Sequence, residues 1–268
     1  MLIAVPMVAV MSWPAAAQIP ATHLSDLARA RAAYNERRFD EAISVASTAR
    51  QVAEIADASS IVLARALLER YRERVDPADL SSAREVLGTV RSSELGERDR
   101  LELLLAFGEA LFLQDDFGAA AEMLESGLTR AAAVDGPLAE AMLEWWGSAV
   151  QRQAGSLPPE PRKTQFLRLF ERMRLKLAET PTSLAASYWY VVSLRGAGEA
   201  DRAWDAAVAA WVRARLVGQR APMLRADLDQ FVLQGVIPDR VRHIAQDERA
   251  AAESQLKAEW EMVKERWK

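Results

Sequence analysis

The chain has 268 residues, of which 50% are hydrophobic and 27% are charged, so it carries enough apolar surface to fold rather than stay disordered. It contains no cysteine, which excludes disulfides, thiolate catalysis, iron–sulfur clusters and cysteine zinc sites. The mild formal net charge of −4 argues against a general nucleic-acid binder.

The first residues have the composition of an export signal. Residues 1–25 contain no Asp, Glu, Lys or Arg, and an apolar run to Trp13 precedes three small residues that end at Ala17. We therefore predict a signal peptide over residues 1–17, cleaved after Ala17, and a flexible N-terminus over residues 18–23. A basic start is missing, so a retained membrane anchor and a buried first helix are the alternatives. Arg outnumbers Lys 29 to 5, a bias typical of GC-rich bacterial genomes, which would make the compartment periplasmic.

The rest of the chain has the periodicity of helices. Apolar residues recur every three or four positions after residue 20, and no segment predicts a strand. Asp76-Pro77 has the order of an N-cap followed by a first-turn proline, and Thr180-Pro181 repeats it. The fold class is therefore predicted as all-α. The predicted helices cover residues 24–36, 39–56, 59–74, 77–92, 97–113, 117–133, 137–153, 161–178, 182–195, 199–217, 222–234 and 239–266.

Several predicted helix pairs share one pattern of large and small residues. In Leu104-x-x-Phe107-Gly108-x-x-Leu111, a small residue follows an apolar one, so that a paired helix can approach closely. Parts of the same pattern recur at residues 34–42, 80–87, 114–124, 143–150 and 190–204. The pattern resembles that of the tetratricopeptide repeat (TPR) family.

This resemblance covers roughly residues 24–218 and implies a right-handed superhelix of antiparallel helix hairpins. Such a TPR-like α-solenoid would have about five hairpins, with C-terminal capping helices over residues 219–268. A non-repeating helical bundle is the alternative, because only the last spacing between repeat anchors equals the family period of 34. The anchors are Ala42, Ala83, Ala120, Leu169 and Ala203, at spacings of 41, 37, 49 and 34 residues.

The resemblance also implies a partner-binding groove, since TPR proteins typically bind peptides or helices of other proteins on a face lined by first helices. Transferred to this chain, the groove would consist of Arg31, Tyr34, Asn35, Glu102, Leu105, Glu109, Phe112, Glu144, Gln151, Arg152, Tyr188 and Arg195. The weaker second hairpin would add Tyr71 and Arg72. Glu102, Glu109 and Phe112 are expected to form one wall, with Glu144 beside them.

No motif in the sequence predicts catalysis. There is no phosphate-binding glycine loop and no nucleophile elbow, and the two histidines are far apart in sequence. His243 and Asp247 are spaced to share a helix face, where a solvated surface is the simpler interpretation. Asp115-Asp116 is expected to cap the helix that begins near Phe117. We therefore expect no catalytic, cofactor-binding or metal-binding residues.

A basic segment follows an acidic one. Residues 94–144 contain 12 acidic and 3 basic residues, whereas residues 151–176 contain 7 basic and 2 acidic ones. Arg168, Arg172 and Lys176 form one helical stripe, which is either solvated, attracted to the acidic block, or in weak contact with a membrane surface or an anionic partner.

The last predicted helix carries an apolar stripe that includes Trp260 and Trp267. This stripe either packs on the preceding helices as a cap, which we favour, or offers a partner surface.

Together these features favour a non-enzymatic protein-interaction scaffold of the bacterial cell envelope that binds a protein or peptide in its groove. A membrane-associated envelope assembly factor that uses the basic helix face is one alternative. A helical envelope enzyme with an unrecognised site is the other.

Overall fold

The computed structural model describes residues 21–268, with side chains from Ser25 onward apart from position 219, and every regular element in this part is helical. The helices are α1 Ala21–Asn35, α2 Phe39–Ala49, α3 Ala56–Arg74, α4 Pro77–Gly88, α5 Glu97–Phe112, α6 Phe117–Val134, α7 Gly136–Gly155, α8 Pro159–Glu179, α9 Leu184–Gly196, α10 Ala200–Arg213, α11 Ala221–Phe231, α12 Ile237–Arg240 and α13 Gln246–Arg266. The predicted signal peptide and residues 18–20 lie outside the described residues. Residues 21–23, predicted to be flexible, belong to α1.

Side-chain caps begin several helices. The Asp76 carboxylate accepts a hydrogen bond from the Ala78 amide at 3.0 Å, as its position before Pro77 predicted. The start of α9 is later than predicted, because the cap is Ser183, whose hydroxyl accepts from the Ala186 amide at 3.1 Å.

The expected cap of α6 is wrong. Asp116 directly precedes the helix, but its side chain accepts no cap hydrogen bond. Asp115 adopts a left-handed backbone with a φ of 64°, so it closes the turn between α5 and α6 through its backbone rather than capping a helix.

Other predicted boundaries were wrong by several residues. The second helix ends at Ala49 rather than at residue 56, and the helix predicted to reach residue 217 ends at Arg213. Irregular helical turns follow in both places, at Ala53–Ile55 and Ala214–Arg220. The apolar pattern continues through these turns, so periodicity alone did not mark the helix ends.

The break expected before Pro238 is absent. Instead α11 continues through a π-helical turn at Val232–Val236 into α12. A proline ring clashes with the carbonyl four residues before it, and a widened turn relieves that clash. The chain breaks after α12, so His243 is exposed in a turn and does not share a helix face with Asp247.

Helices pack in sequence order and also in a second way. Successive helices from α1 to α11 contact one another, as in a series of hairpins, and each of α1, α3, α5, α7 and α9 also contacts the next odd-numbered helix. We call the layer formed by α1, α3, α5, α7, α9 and α11 the odd-helix layer.

Two glycines mark close helix contacts. A Cβ atom at Gly108 of α5 would lie 2.5 Å from the Leu124 side chain of α6, as the pattern predicted for a hairpin. A Cβ atom at Gly147 of α7 would lie 2.5 Å from Trp189. Trp189 belongs to α9, so this second contact joins two members of the odd-helix layer rather than a hairpin pair.

The C-terminal helix packs on the body of the protein through one tryptophan. Trp260 is fully buried, and its ring centroid lies 5.8 Å from that of Trp204 and 5.4 Å from that of Trp211. Its indole Nε1 donates a hydrogen bond to Asp229 at 2.7 Å. The capping interpretation is confirmed for Trp260, whereas Trp267 is exposed.

Candidate functional site

A cavity of about 810 Å³ lies on the odd-helix layer, and we call it the central cavity. Its lining comes mainly from α7, α9 and α11. Three arginines complete it: Arg37 of the turn between α1 and α2, Arg72 of α3, and Arg220 directly before α11. The polar and large apolar lining residues are Arg37, Arg72, Glu140, Glu144, Ser148, Gln151, Leu184, Tyr188, Trp189, Arg220, Met223, Leu224 and Asp227.

Glu144 is the central carboxylate of this cavity. Its Oε2 accepts a hydrogen bond of 2.9 Å from the indole Nε1 of Trp189. The residue is exposed to solvent through the open cavity, and the surrounding helices shield one side of its carboxylate. This partial desolvation raises the pKa of Glu144, against the opposing effect of the Trp189 hydrogen bond.

Two groups on neighbouring helices share this environment. Desolvation also raises the pKa of Asp227 on α11 above its ordinary value. On α9, burial and the charges of Glu144 and Asp227 raise the pKa of Tyr188 to about 12. The three groups are therefore close enough to influence one another electrostatically.

The carboxylates of the central cavity form no ion pair with any residue that the structure describes. Glu140 accepts a hydrogen bond from the Ala185 amide at 3.1 Å and Glu144 accepts one from Trp189, and both donors are neutral. Within the described part of the chain, no Lys, Arg or His nitrogen lies within 4.0 Å of a carboxylate oxygen of Glu140, Glu144 or Asp227.

The cavity's arginines are mostly engaged elsewhere. Arg37 pairs with Glu73 at 3.2 Å, and Arg72 pairs with Glu69 at 2.9 Å. The Arg72 guanidinium also stacks 4.9 Å from the ring centroid of Trp145.

A second cavity of about 350 Å³ lies at the N-terminal end of the same layer. It brings together four of the predicted groove residues, Arg31, Tyr34, Asn35 and Glu102. Ion pairs occupy its walls, because Arg31 lies 2.5 Å from Asp99 and 3.7 Å from Glu102.

Three of the four groove residues predicted on α5 are buried rather than exposed. Leu105 is fully buried, and Glu102 and Glu109 are 7% and 1% exposed. Arg65 of α3 donates two hydrogen bonds to Glu109, of 3.2 and 3.3 Å, while stacking 4.7 Å from the Tyr34 ring centroid. The spacing does hold these residues near one helix face, but α3 packs across that face.

Phe112, the expected aromatic anchor, is only partly exposed. Its ring packs edge-on against Phe117 and Trp145, each at a centroid distance of 5.1 Å. Phe112 therefore belongs mainly to the internal packing between α5, α6 and α7.

The other predicted groove residues lie in different places. Glu144, Gln151 and Tyr188 line the central cavity, as does Arg72. Arg152 stacks on Phe117 at 4.8 Å from the ring centroid, outside this cavity. Arg195 pairs with Asp239 at 2.7 Å and lines an adjoining cavity with Tyr188.

Sequence reasoning missed Glu140, Asp227 and Met223 as members of the cavity. The last two lie on α11, which was assigned to a capping region outside the repeats. In the predicted hairpins, every second helix belongs to the odd-helix layer. Extending this alternation by one more hairpin would have placed α11 in the same layer.

The basic stripe on α8 faces the acidic block on α6. Arg168 forms ion pairs with Glu125 and, at 3.5 Å, with Glu122. Arg172 donates a hydrogen bond of 3.2 Å to the Thr129 hydroxyl. The attraction between the two blocks is therefore confirmed for Arg168.

Two further findings concern only the residues that the structure describes. No helix among them is both long enough and apolar enough to span a membrane. Nor do they include a group of three or more His, Asp or Glu side chains that could hold a metal ion.

No protein-family model matches the chain, and comparisons with curated proteins and with solved structures also gave no match.

Proposed function

We propose that this protein is a non-enzymatic scaffold of the bacterial cell envelope that binds a segment of a partner protein in the central cavity. Its helices would form a TPR-like α-solenoid, and the proposed leader would direct it to the periplasm. The observation that carries the proposal is the continuous odd-helix layer with an open cavity of about 810 Å³ on it. Stacked helix pairs typically use such inner faces for protein–protein interaction.

The lining of the cavity suits a polypeptide segment. Charged groups surround Tyr188 and the exposed side chain of Met223, while Leu184 and Leu224 form an apolar part of the cavity wall. Sites for small molecules are mostly apolar with few polar groups, whereas a protein segment offers both kinds of contact.

The membrane-associated alternative has less support from the described surface. Ion pairs with α6 hold Arg168, and a hydrogen bond holds Arg172, so two of the three basic side chains are already engaged. Such contacts reduce the charge available to lipid headgroups.

Site-specific photocrosslinking in the native host tests the proposed function. A benzoylphenylalanine at Ser148 would lie in the central cavity, and one at the exposed Ser254 of α13 provides the control. We expect a crosslinked partner polypeptide from position 148 and none from position 254, with unchanged helical circular dichroism for both variants. The proposal is wrong if position 148 gives no adduct, or if both positions give the same one.

A further inference from the structure

Buried carboxylates elsewhere on the odd-helix layer are matched by arginines. Glu109 faces Arg65 at 3.2 Å, and Glu102 faces Arg98 at 3.2 Å and Arg31 at 3.7 Å. The carboxylates of the central cavity lack such a partner within the described residues, although two of them are partly desolvated. The cavity carboxylates therefore carry charge that no direct ion pair within the described residues neutralises.

We infer that Glu144 and Asp227 bind a lysine or arginine side chain of the partner segment. The inference rests on the proposed function and names the chemistry of the partner. Glu144, Tyr188 and Asp227 come from three successive helices of the odd-helix layer, α7, α9 and α11, and line one cavity.

Electrostatics favours a cation between these helices. Glu140, Glu144 and Asp227 carry like charges, and the charges of Glu140 and Asp227 raise the pKa of Glu144. An incoming guanidinium or ammonium group would reverse this repulsion with charge-assisted hydrogen bonds. Arg37 pairs with Glu73, and Arg72, which lowers the pKa of Glu144, pairs with Glu69. The third arginine of the lining, Arg220, has no ion pair within the described residues, so the three unpaired carboxylates still outnumber it.

The shape of the lining favours a long side chain over a bare ion. The exposed Met223 and the ring of Tyr188 can cover the aliphatic part of a lysine or arginine while its charged end reaches the carboxylates. Met223 and Tyr188 also supply no carboxylate or imidazole ligand for a metal ion.

The charge on the cavity carboxylates can be removed without removing their shape. In the double variant Glu144→Gln, Asp227→Asn, the glutamine still offers an amide oxygen to the Trp189 indole. The matched control is Glu85→Gln, Asp205→Asn, which neutralises two exposed carboxylates on α4 and α10.

Stability separates a binding role from a structural one. A carboxylate whose pKa is raised in the folded state stabilises the fold at low pH and loses that contribution as the pH rises through the raised value. Neutralising Glu144 and Asp227 should therefore leave the melting temperature at pH 7 unchanged or higher. A variant that only damaged the fold would melt at a lower temperature.

The probe is a phage-displayed library of random dodecapeptides selected on the full chain. We expect the enriched peptides to share a lysine or arginine and to bind the double variant at least about tenfold more weakly. The control variant should bind them within about twofold of the unmodified protein. Replacing the shared cation in the peptide by norleucine should weaken binding to the unmodified protein and abolish the difference between it and the double variant.

Other outcomes overturn the inference in distinguishable ways. Enriched peptides could lack a cation and bind the double variant as tightly as the unmodified protein, yet fail to bind Ser148→Trp. That result would refute the cation site and leave the proposed scaffold function in place. Enriched peptides that bind Ser148→Trp equally well would refute the proposed function, and so would a library with no enriched member. Binding of free butylammonium as tightly as the enriched peptides would refute a polypeptide ligand for this site.

Discussion

Gly108 lets α5 and α6 approach more closely than any side chain would permit. A Cβ atom there would lie 2.5 Å from Cγ of Leu124, and Leu124 is fully buried. A glycine inside a helix costs about 1 kcal/mol relative to alanine. The close packing of the two helices at this position offsets that cost.

Replacing Gly108 by alanine should therefore destabilise the protein despite the better helix propensity of alanine. We expect the free energy of unfolding to fall by about 1–3 kcal/mol, measured by urea denaturation. The control is Gly88→Ala, where the new Cβ atom meets nothing within 4 Å, and its stability should stay the same or rise by up to about 1 kcal/mol. Equal stability of Gly108→Ala and the unmodified protein would contradict the described contact between α5 and α6.

At the scale of elements, one buried ion pair joins three helices. Arg65 of α3 binds Glu109 of α5 through two hydrogen bonds and stacks on Tyr34 of α1. Burial raises the pKa of Glu109, while the Arg65 guanidinium opposes that rise. Breaking such a pair costs more than the pair contributes, because it leaves a buried charge uncompensated.

The variant Arg65→Met should lower the free energy of unfolding at pH 7 by about 3–5 kcal/mol. Adding Glu109→Gln should restore part of this loss, since it removes the unpaired charge. Without Arg65 the pKa of Glu109 rises further, so Glu109 takes up a proton on acidification and the deficit should be smaller at pH 5 than at pH 7. Urea denaturation at both pH values checks this, and an equal deficit with no recovery in the double variant would contradict it.

At the scale of the whole molecule, the core consists of overlapping clusters along the chain. One cluster runs from α1 to α5, a second from α5 to just beyond α9, and a third from α8 to α13. Each is built from helices close in sequence, so stability depends largely on interfaces between neighbours. Trp260 belongs to the third cluster and attaches α13 to it.

A defect at one end should therefore remain local. Trp260→Ala should lower the free energy of unfolding by about 3–5 kcal/mol, because it empties a fully buried site beside Trp204 and Trp211. Hydrogen exchange measured by mass spectrometry should then increase in α10–α13 and change less in α1–α4. Trp267→Ala, at a residue 38% exposed, should have a much smaller effect. A uniform increase along the chain would show instead that the helices unfold as one cooperative unit.

Parts of the fold and site could be predicted because their causes are local in sequence. The helical class, the cap at Asp76 and the close contact at Gly108 each depend on a few neighbouring residues. Among the groove residues, Glu144, Gln151 and Tyr188 do line one cavity. The prediction that Glu109 is exposed in the groove was wrong, because helix spacing shows which residues share a face but not which helix covers that face.

Helix periodicity and capping act over a few residues, so the amino-acid sequence alone predicts the helices and the small residue at which α5 and α6 approach closely. Which acidic residues are neutralised depends on how the helices pack. Arg65 and Glu109 meet across 44 residues of sequence, whereas Glu144 and Asp227 line one cavity and form no ion pair within the described part of the chain. Pairing of charges depends on distances between helices, and those distances are set by packing among residues far apart in sequence.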